Sequence, residues 1–146
     1  MALNAQTYTS DIDAVATAAA KEELGSIRSV QTTEGEKLYK YVKATGTIAA
    51  VKVVASDVSE GDNYSVEVGG ANNYGQGVSV VAMDTTTPYA WVQVGGLITG
   101  LASLTAGERV AANTAGAVTS NAAPSANDLG TATAVTTTSA VLKGLI

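Results

Sequence analysis

From Ser26 onward the apolar residues of this chain recur at every second position, in runs cut short by glycine-bearing turns. No other feature constrains the fold as strongly. Successive side chains of a strand point to opposite faces, whereas a helix brings positions three and four apart onto one face. "SIRSVQTTEGEKLYKYVKA" alternates on both sides of "TEGE" and predicts a hairpin. In its second arm Tyr39 and Tyr41 share a face, with Leu38, Lys40 and Val42 on the other. "IAAVKVVASDV" reads as a further strand ending at "SEGDN", and "YSVEVGG" sets Tyr64, Val66 and Val68 opposite Ser65 and Glu67. "ANNYGQG" reads as a loop. "VSVVAMD" and "YAWVQVGG" read as strands separated by "TTTP", the second closed by Gly95-Gly96. Farther on, "RVAAN", "AVTS", "TATAV" and "AVLKGLI" fit as short strands between turns, and the threonine run 136–138 favours strand over helix. Many short strands at regular spacing predict a mainly β fold, a small β-barrel or β-sandwich.

The N-terminal end follows different rules. Residues 1–10, "MALNAQTYTS", are polar and aperiodic and are expected to form a flexible, extended arm. "DIDAVATAAAKEEL" predicts one short helix, with Ser10 or Asp11 as its cap, Asp13 in its first turn and Gly25 as its stop. Its alanines and leucine make no coherent apolar stripe, so such a helix needs something to dock on. The expected organisation is therefore an arm over 1–10 and a single β-rich domain over 11–146. A chain of 146 residues is long enough to bury a core without disulfides.

The chain has no cysteine and no histidine. That removes thiolate metal sites, cysteine nucleophiles, the commonest general base and the commonest zinc ligand together. The many serines and threonines lack a histidine to activate them, and no signature accompanies a Ser-Lys pair with Lys21, Lys52 or Lys143. Asp11, Asp13, Glu22 and Glu23 lack the alternating spacing of a calcium loop and read as capping and solvated carboxylates. "VGGANNYGQG" lacks the Lys-Ser/Thr of a phosphate loop. The sequence thus predicts a protein that is not an enzyme and takes no cofactor or metal. A formal net charge of −5 opposes nucleic-acid binding. In "GEKLYKYVKA" the lysines fall on both faces beside Glu34 and Glu36, the pattern of an edge or half-exposed strand rather than a base-stacking platform. No apolar run is long enough for a membrane-spanning helix and the N-terminus lacks a signal-peptide pattern, so synthesis in the cytoplasm is expected. Trp91, the single tryptophan, reads as core or subunit interface.

Two long stretches carry a resemblance. "ELGSIRSVQTTEGEKLYKYVKATGTIAAVKVV" combines a Leu-Gly start, a hairpin through a glycine turn, an aromatic strand and a Thr-Ile-Ala-Ala passage into a valine-rich strand. "YAWVQVGGLITGLASLTAGERVAANTAGAVTSNA", followed by "LGTATAVTTTSAVLKGLI", runs from a Trp strand through "TAGERV" and a second glycine turn to a "LGTA" step and a final apolar strand. Together they resemble the capsid decoration (cement) proteins of tailed bacteriophages. The resemblance implies a β-rich structural protein on the outer capsid surface of the virion, often a trimer, that clamps major capsid protein subunits and stabilises the expanded shell. The major capsid protein is then the expected partner, with Leu3 and Tyr8 of the arm and Trp91 as candidate contacts. Residues 56–88 do not share the pattern and read as a candidate insertion. A head fibre, tail tube or spike module, and a carbohydrate-binding β module using Trp91, are the competing readings.

Overall fold

The computed structural model describes residue 8 and residues 10–70, 75–113, 115–121 and 128–142. Ten strands follow one another: β1 Ile27–Thr32, β2 Gly35–Ala44, β3 Val53–Ser56, β4 Ser65–Val68, β5 Gly75–Ser79, β6 Tyr89–Ile98, β7 Arg109–Ala112, β8 Val118–Asn121, β9 Asp128–Ala134 and β10 Ala140–Leu142. The architecture is mainly β, as the period-two pattern predicts.

Five strands close a barrel in the order β2-β4-β3-β5-β6, with β6 pairing back onto β2. All these pairings are antiparallel except β2 with β4. The predicted hairpin forms β1 and β2, with Thr32 opposite Gly35 across the turn. Along one edge β2 pairs first with β1, up to Lys40, and then with β4 from Lys43, while its other edge pairs with β6. It is therefore a central stave, not the edge or half-exposed strand expected from its lysines. Tyr39, Lys40, Tyr41 and Val42 are all buried. The alternation was real, but both of its faces are covered.

The barrel interior holds Val42, Ala44, Ile48, Val54, Val66, Met83, Ala90, Val92 and Val94. A second core of Val53, Val78, Ile98, Leu101, Leu104, Val110, Ala112, Ala134, Ala140 and Leu142 joins the outside of β3 and β5 to a second sheet. In that sheet β6 continues into β10, β9, β7 and β8. Strand β6 thus does not close at Gly95-Gly96 but runs through them to Ile98, pairing with β2 up to Gly95 and with β10 from Gly96. Gly96 has φ +87°, and the β2 register shifts between Leu38 and Tyr39 at the same level. The glycine pair is a bulge that lets one strand serve two sheets.

Other expectations need correction. Residues 48–52 form a loop with isolated bridges from Ile48 to Met83 and Lys52 to Ala117, so the strand expected from Ile48 begins only at Val53. Gly75–Gly77 of the expected loop belong to β5, while 71–74 lie outside the described residues. Residues 56–88 supply β4 and β5, two staves of the ring.

The short helix over Asp11–Leu24 is absent; those residues form turns, bends and one bridge. The physical reason lies in what its cap does. Ser10 Oγ and N–H both donate to Glu22 Oε1, and the Ser10 carbonyl accepts from Arg28 Nη1. The groups that would start a helix are committed to tertiary partners, and helix propensity without an apolar stripe is too weak to compete.

Candidate functional site

Strands β2 and β6 lie side by side, with Tyr41 opposite Trp91 in register. Since alternate residues point inward, Tyr39, Tyr41 and Trp91 stand together on the outer wall of the barrel. Tyr41 and Trp91 meet edge to face, with centroids 5.1 Å apart and planes at 61°. Tyr8 adds a second edge-to-face contact with Trp91 at 5.4 Å and 73°. Such T-shaped pairs set the electropositive ring edge against the electron-rich face.

Residues 10–24 cross this aromatic layer as a strap. Ile12 and Leu24 pack on the rings, and Thr17 exchanges two main-chain hydrogen bonds with Tyr89, at 3.0 and 3.2 Å. The Lys21 N–H donates to the Tyr41 hydroxyl at 3.1 Å. Ser10 is the hub. Its Oγ accepts the indole N–H of Trp91 at 3.0 Å and donates to Glu22 Oε1 at 2.8 Å, while its carbonyl receives Arg28 at 2.9 Å. Arg28 also stacks over Tyr8, 5.1 Å from the ring centroid, and the Tyr8 hydroxyl donates to the Ile27 carbonyl. A cleft of about 140 Å³ remains between strap and wall, lined by Asp11, Val15 and Lys21 on one side and Tyr41, Tyr89 and Trp91 on the other.

The three candidate contacts therefore separate. Leu3 lies outside the described residues. Tyr8 is half-buried at the rim of the layer, already docked although it belongs to the expected arm. Trp91 is only 1% exposed and forms the floor, enclosed by this chain's own tyrosines. Sequence reasoning missed Ser10 as the partner of Trp91, and Glu22 as the partner of Ser10. No local signal joins residues 81 positions apart, and a serine before an acidic residue reads as a helix cap.

The charged groups are arranged for structure. Lys40, 8% exposed, sends Nζ to the Asn63 carbonyl, at the split where β2 changes its neighbour from β1 to β4. Burial pushes its pKa down, and nearby Asp62 opposes that. Burial likewise pushes the Tyr39 phenol up, against Lys37. Asp84 accepts hydrogen bonds from Thr86 and Thr87 in the turn before β6, which hold its carboxyl at about 2. Lys52 meets Ser79 through its main-chain N–H, which donates to Ser79 Oγ and tethers the loop before β3. Among the described residues no three acidic side chains converge as metal ligands.

No family model matches the chain, and no curated protein matches it. Among solved structures it is similar to the crystal structure of the head fiber gp8.5 N base in bacteriophage phi29, at 14% sequence identity. The match covers 73% of this chain and 94% of that chain with a TM-score of 0.49, a likeness of strand arrangement in outline that carries no information about what this chain does.

Proposed function

We propose that this chain is a structural component of a tailed-phage virion, and more finely a decoration protein that binds the outer capsid surface and bridges major capsid protein subunits. The observation that carries the reading is where the resembling stretches fall in the fold. Residues 23–54 supply β1, β2 and the start of β3, while 89–122 and 129–146 supply β6 to β10, apart from the first residue of β9. The likeness thus follows the hairpin, the bulged strand β6 and the second sheet, a connected spine rather than scattered turns. A cementing role asks for a rigid body presenting several contacts at once, so that modest affinities combine. Two cores on either side of one barrel wall supply the rigidity. Tyr8 is fixed at the rim of the aromatic layer. Assembly as a homo-oligomer, a trimer by the family resemblance, would multiply those contacts.

The test is addition of the purified chain to expanded capsids that lack it. Saturable co-sedimentation and a higher temperature of capsid opening support the reading. Absence of binding at concentrations of about 10 μM, a weak affinity by the standards of specific complexes, refutes it. Antibody labelling of virions separates the alternatives: label over the head lattice fits decoration, whereas label on the tail or a protrusion assigns the chain to a tail or fibre module. Light scattering after size exclusion measures the oligomer directly. Glycan binding abolished by Trp91→Ala would instead promote the carbohydrate-binding reading.

A further inference from the structure

We propose that residues 10–24 are a latch: a strap that opens as a unit from the barrel wall about Gly25, with Ser10 as its catch and Trp91 as the group it covers. The inference stands on the geometry of this chain and does not depend on the virion reading.

Three observations carry it. First, the strap has no repetitive structure of its own, and most of its side chains face solvent; Asp11, Asp13, Ala14, Val15 and Ala18 to Lys21 are exposed, Val15 at 81%. Local opening draws on segments with few apolar contacts and solvent-facing hydrogen bonds. Second, its attachments are separable. They include the Thr17–Tyr89 bridge, the Lys21 hydrogen bond to Tyr41, the contacts of Ile12 and Leu24 with the rings and of Ala16 with the barrel core, and the Ser10 hub. None is a continuous ladder like those joining the staves. Third, the two ends differ in kind. At Gly25, φ +85° turns the chain, and the Gly25 N–H is bound to the Tyr41 carbonyl, so this end is fixed to the barrel. At Ser10 a single hydroxyl both accepts the indole proton and donates to Glu22. Losing that hydroxyl removes the acceptor of the Trp91 indole N–H and one of the two hydrogen bonds from Ser10 to Glu22, leaving the one from its main-chain N–H. A pull on Tyr8, whose ring sits on Trp91 two positions before the catch, would therefore be transmitted to the strap.

Opening converts the cleft beneath the strap into a continuous aromatic wall of Tyr41, Tyr89 and Trp91. Because Trp91 is the sole tryptophan, it reports the state of the latch without a label.

Amide hydrogen exchange of the full chain tests the proposal. The amides of Thr17, Lys21 and Tyr89, all bonded across the strap–wall junction, should exchange with a shared opening constant at least about tenfold larger than that of Val54 and Val92 in the barrel. If they exchange within tenfold of the barrel amides, the strap opens only with global unfolding and the proposal fails. Ser10→Ala should raise strap exchange by about tenfold, as expected for a lost hydrogen-bond hub, and leave Val54 and Val92 unchanged. It should also shift Trp91 emission to the red and increase its quenching by acrylamide. A folded Ser10→Ala protein with unaltered strap exchange refutes Ser10 as the catch. The wild-type measurement decides the latch itself even where that variant does not fold.

Discussion

Gly96→Ala is the substitution whose cost the fold specifies most fully. Gly96 has φ +87°, and a Cβ there would lie 2.4 Å from the Glu36 carbonyl oxygen and 3.0 Å from Lys37 Cα. Both neighbours are backbone of β2, where Glu36 and Lys37 are paired with Gln31 and Val30 of β1. Gly100 supplies the control: φ is +76°, and nothing lies within 4 Å of its Cβ position. Placing an L-residue in the left-handed region costs ~1–2 kcal/mol. Alanine's stiffer unfolded chain offsets ~0.4–1 kcal/mol of that. Gly100→Ala should therefore cost about 0.5–1 kcal/mol, the difference of those terms. Gly96→Ala adds overpacking against backbone, ~1–3 kcal/mol, for a total of about 2–4 kcal/mol. Urea unfolding followed by Trp91 emission measures both, and with a slope of ~1–3 kcal/mol/M the two midpoints should separate by about 1 M. Equal destabilisation by the two substitutions would refute the reasoning, since it would mean that the bulge tolerates a Cβ and that β6 can turn between its sheets without glycine.

Trp91→Ala should destabilise by about 3–5 kcal/mol, the usual cost of emptying an aromatic core site, measurable by urea unfolding with far-UV detection. Lys40→Met should be no less stable than the native protein at pH 7, because it removes a buried cation while the exposed Asn63 carbonyl regains water. The lowered pKa of Lys40 means that stability rises as pH climbs through that value towards 10.5, and Lys40→Met should abolish this rise; an unchanged pH profile would refute it. Tyr39 acts with the opposite sign: its raised pKa stabilises the fold below 10.0, and that contribution is lost as pH rises beyond it. Asp84, held at about 2, contributes stability that is present above 3.8 and lost as pH falls through about 2. The Thr86 and Thr87 amide shifts should titrate with that lower midpoint, and a midpoint near 3.8 would show that the turn does not hold the carboxylate.

Most strands were legible because alternation and glycine punctuation are local signals. The hairpin about "TEGE" and the positions of β4, β6, β7 and β8 follow from them directly. What failed did so for reasons of long-range contact. Ser10 looks like a cap in one dimension and is a tertiary hub in three, because its partners Trp91 and Glu22 are brought to it by the barrel. The lysines of β2 suggested an exposed edge, yet Lys40 is buried against a main-chain carbonyl that only closure of β4 onto β2 supplies. Gly95-Gly96 reads as an ending because glycine usually ends strands; whether it ends one or bends one depends on the pairing of Gly96 with Leu142, which no local window contains.

The two outer walls of the barrel carry very different attachments, and this asymmetry follows from the pattern of β3, β5 and β6. Val53 and Val54 are adjacent in β3 yet belong to separate cores, and Val78 in β5 faces outward with Val53. A strand buried on both faces reads as a continuous apolar run, as Val53, Val54 and Ala55 of β3 do in the sequence. On that wall the second sheet is joined by ten mutually buried side chains and by the unbroken backbone of β6, so it can leave only at the expense of the core itself. On the aromatic wall the strap contributes half-buried residues, one bridge and a serine. Free energy of opening is graded by such differences in burial, so the side that yields first is the side that carries Tyr8, Tyr41 and Trp91.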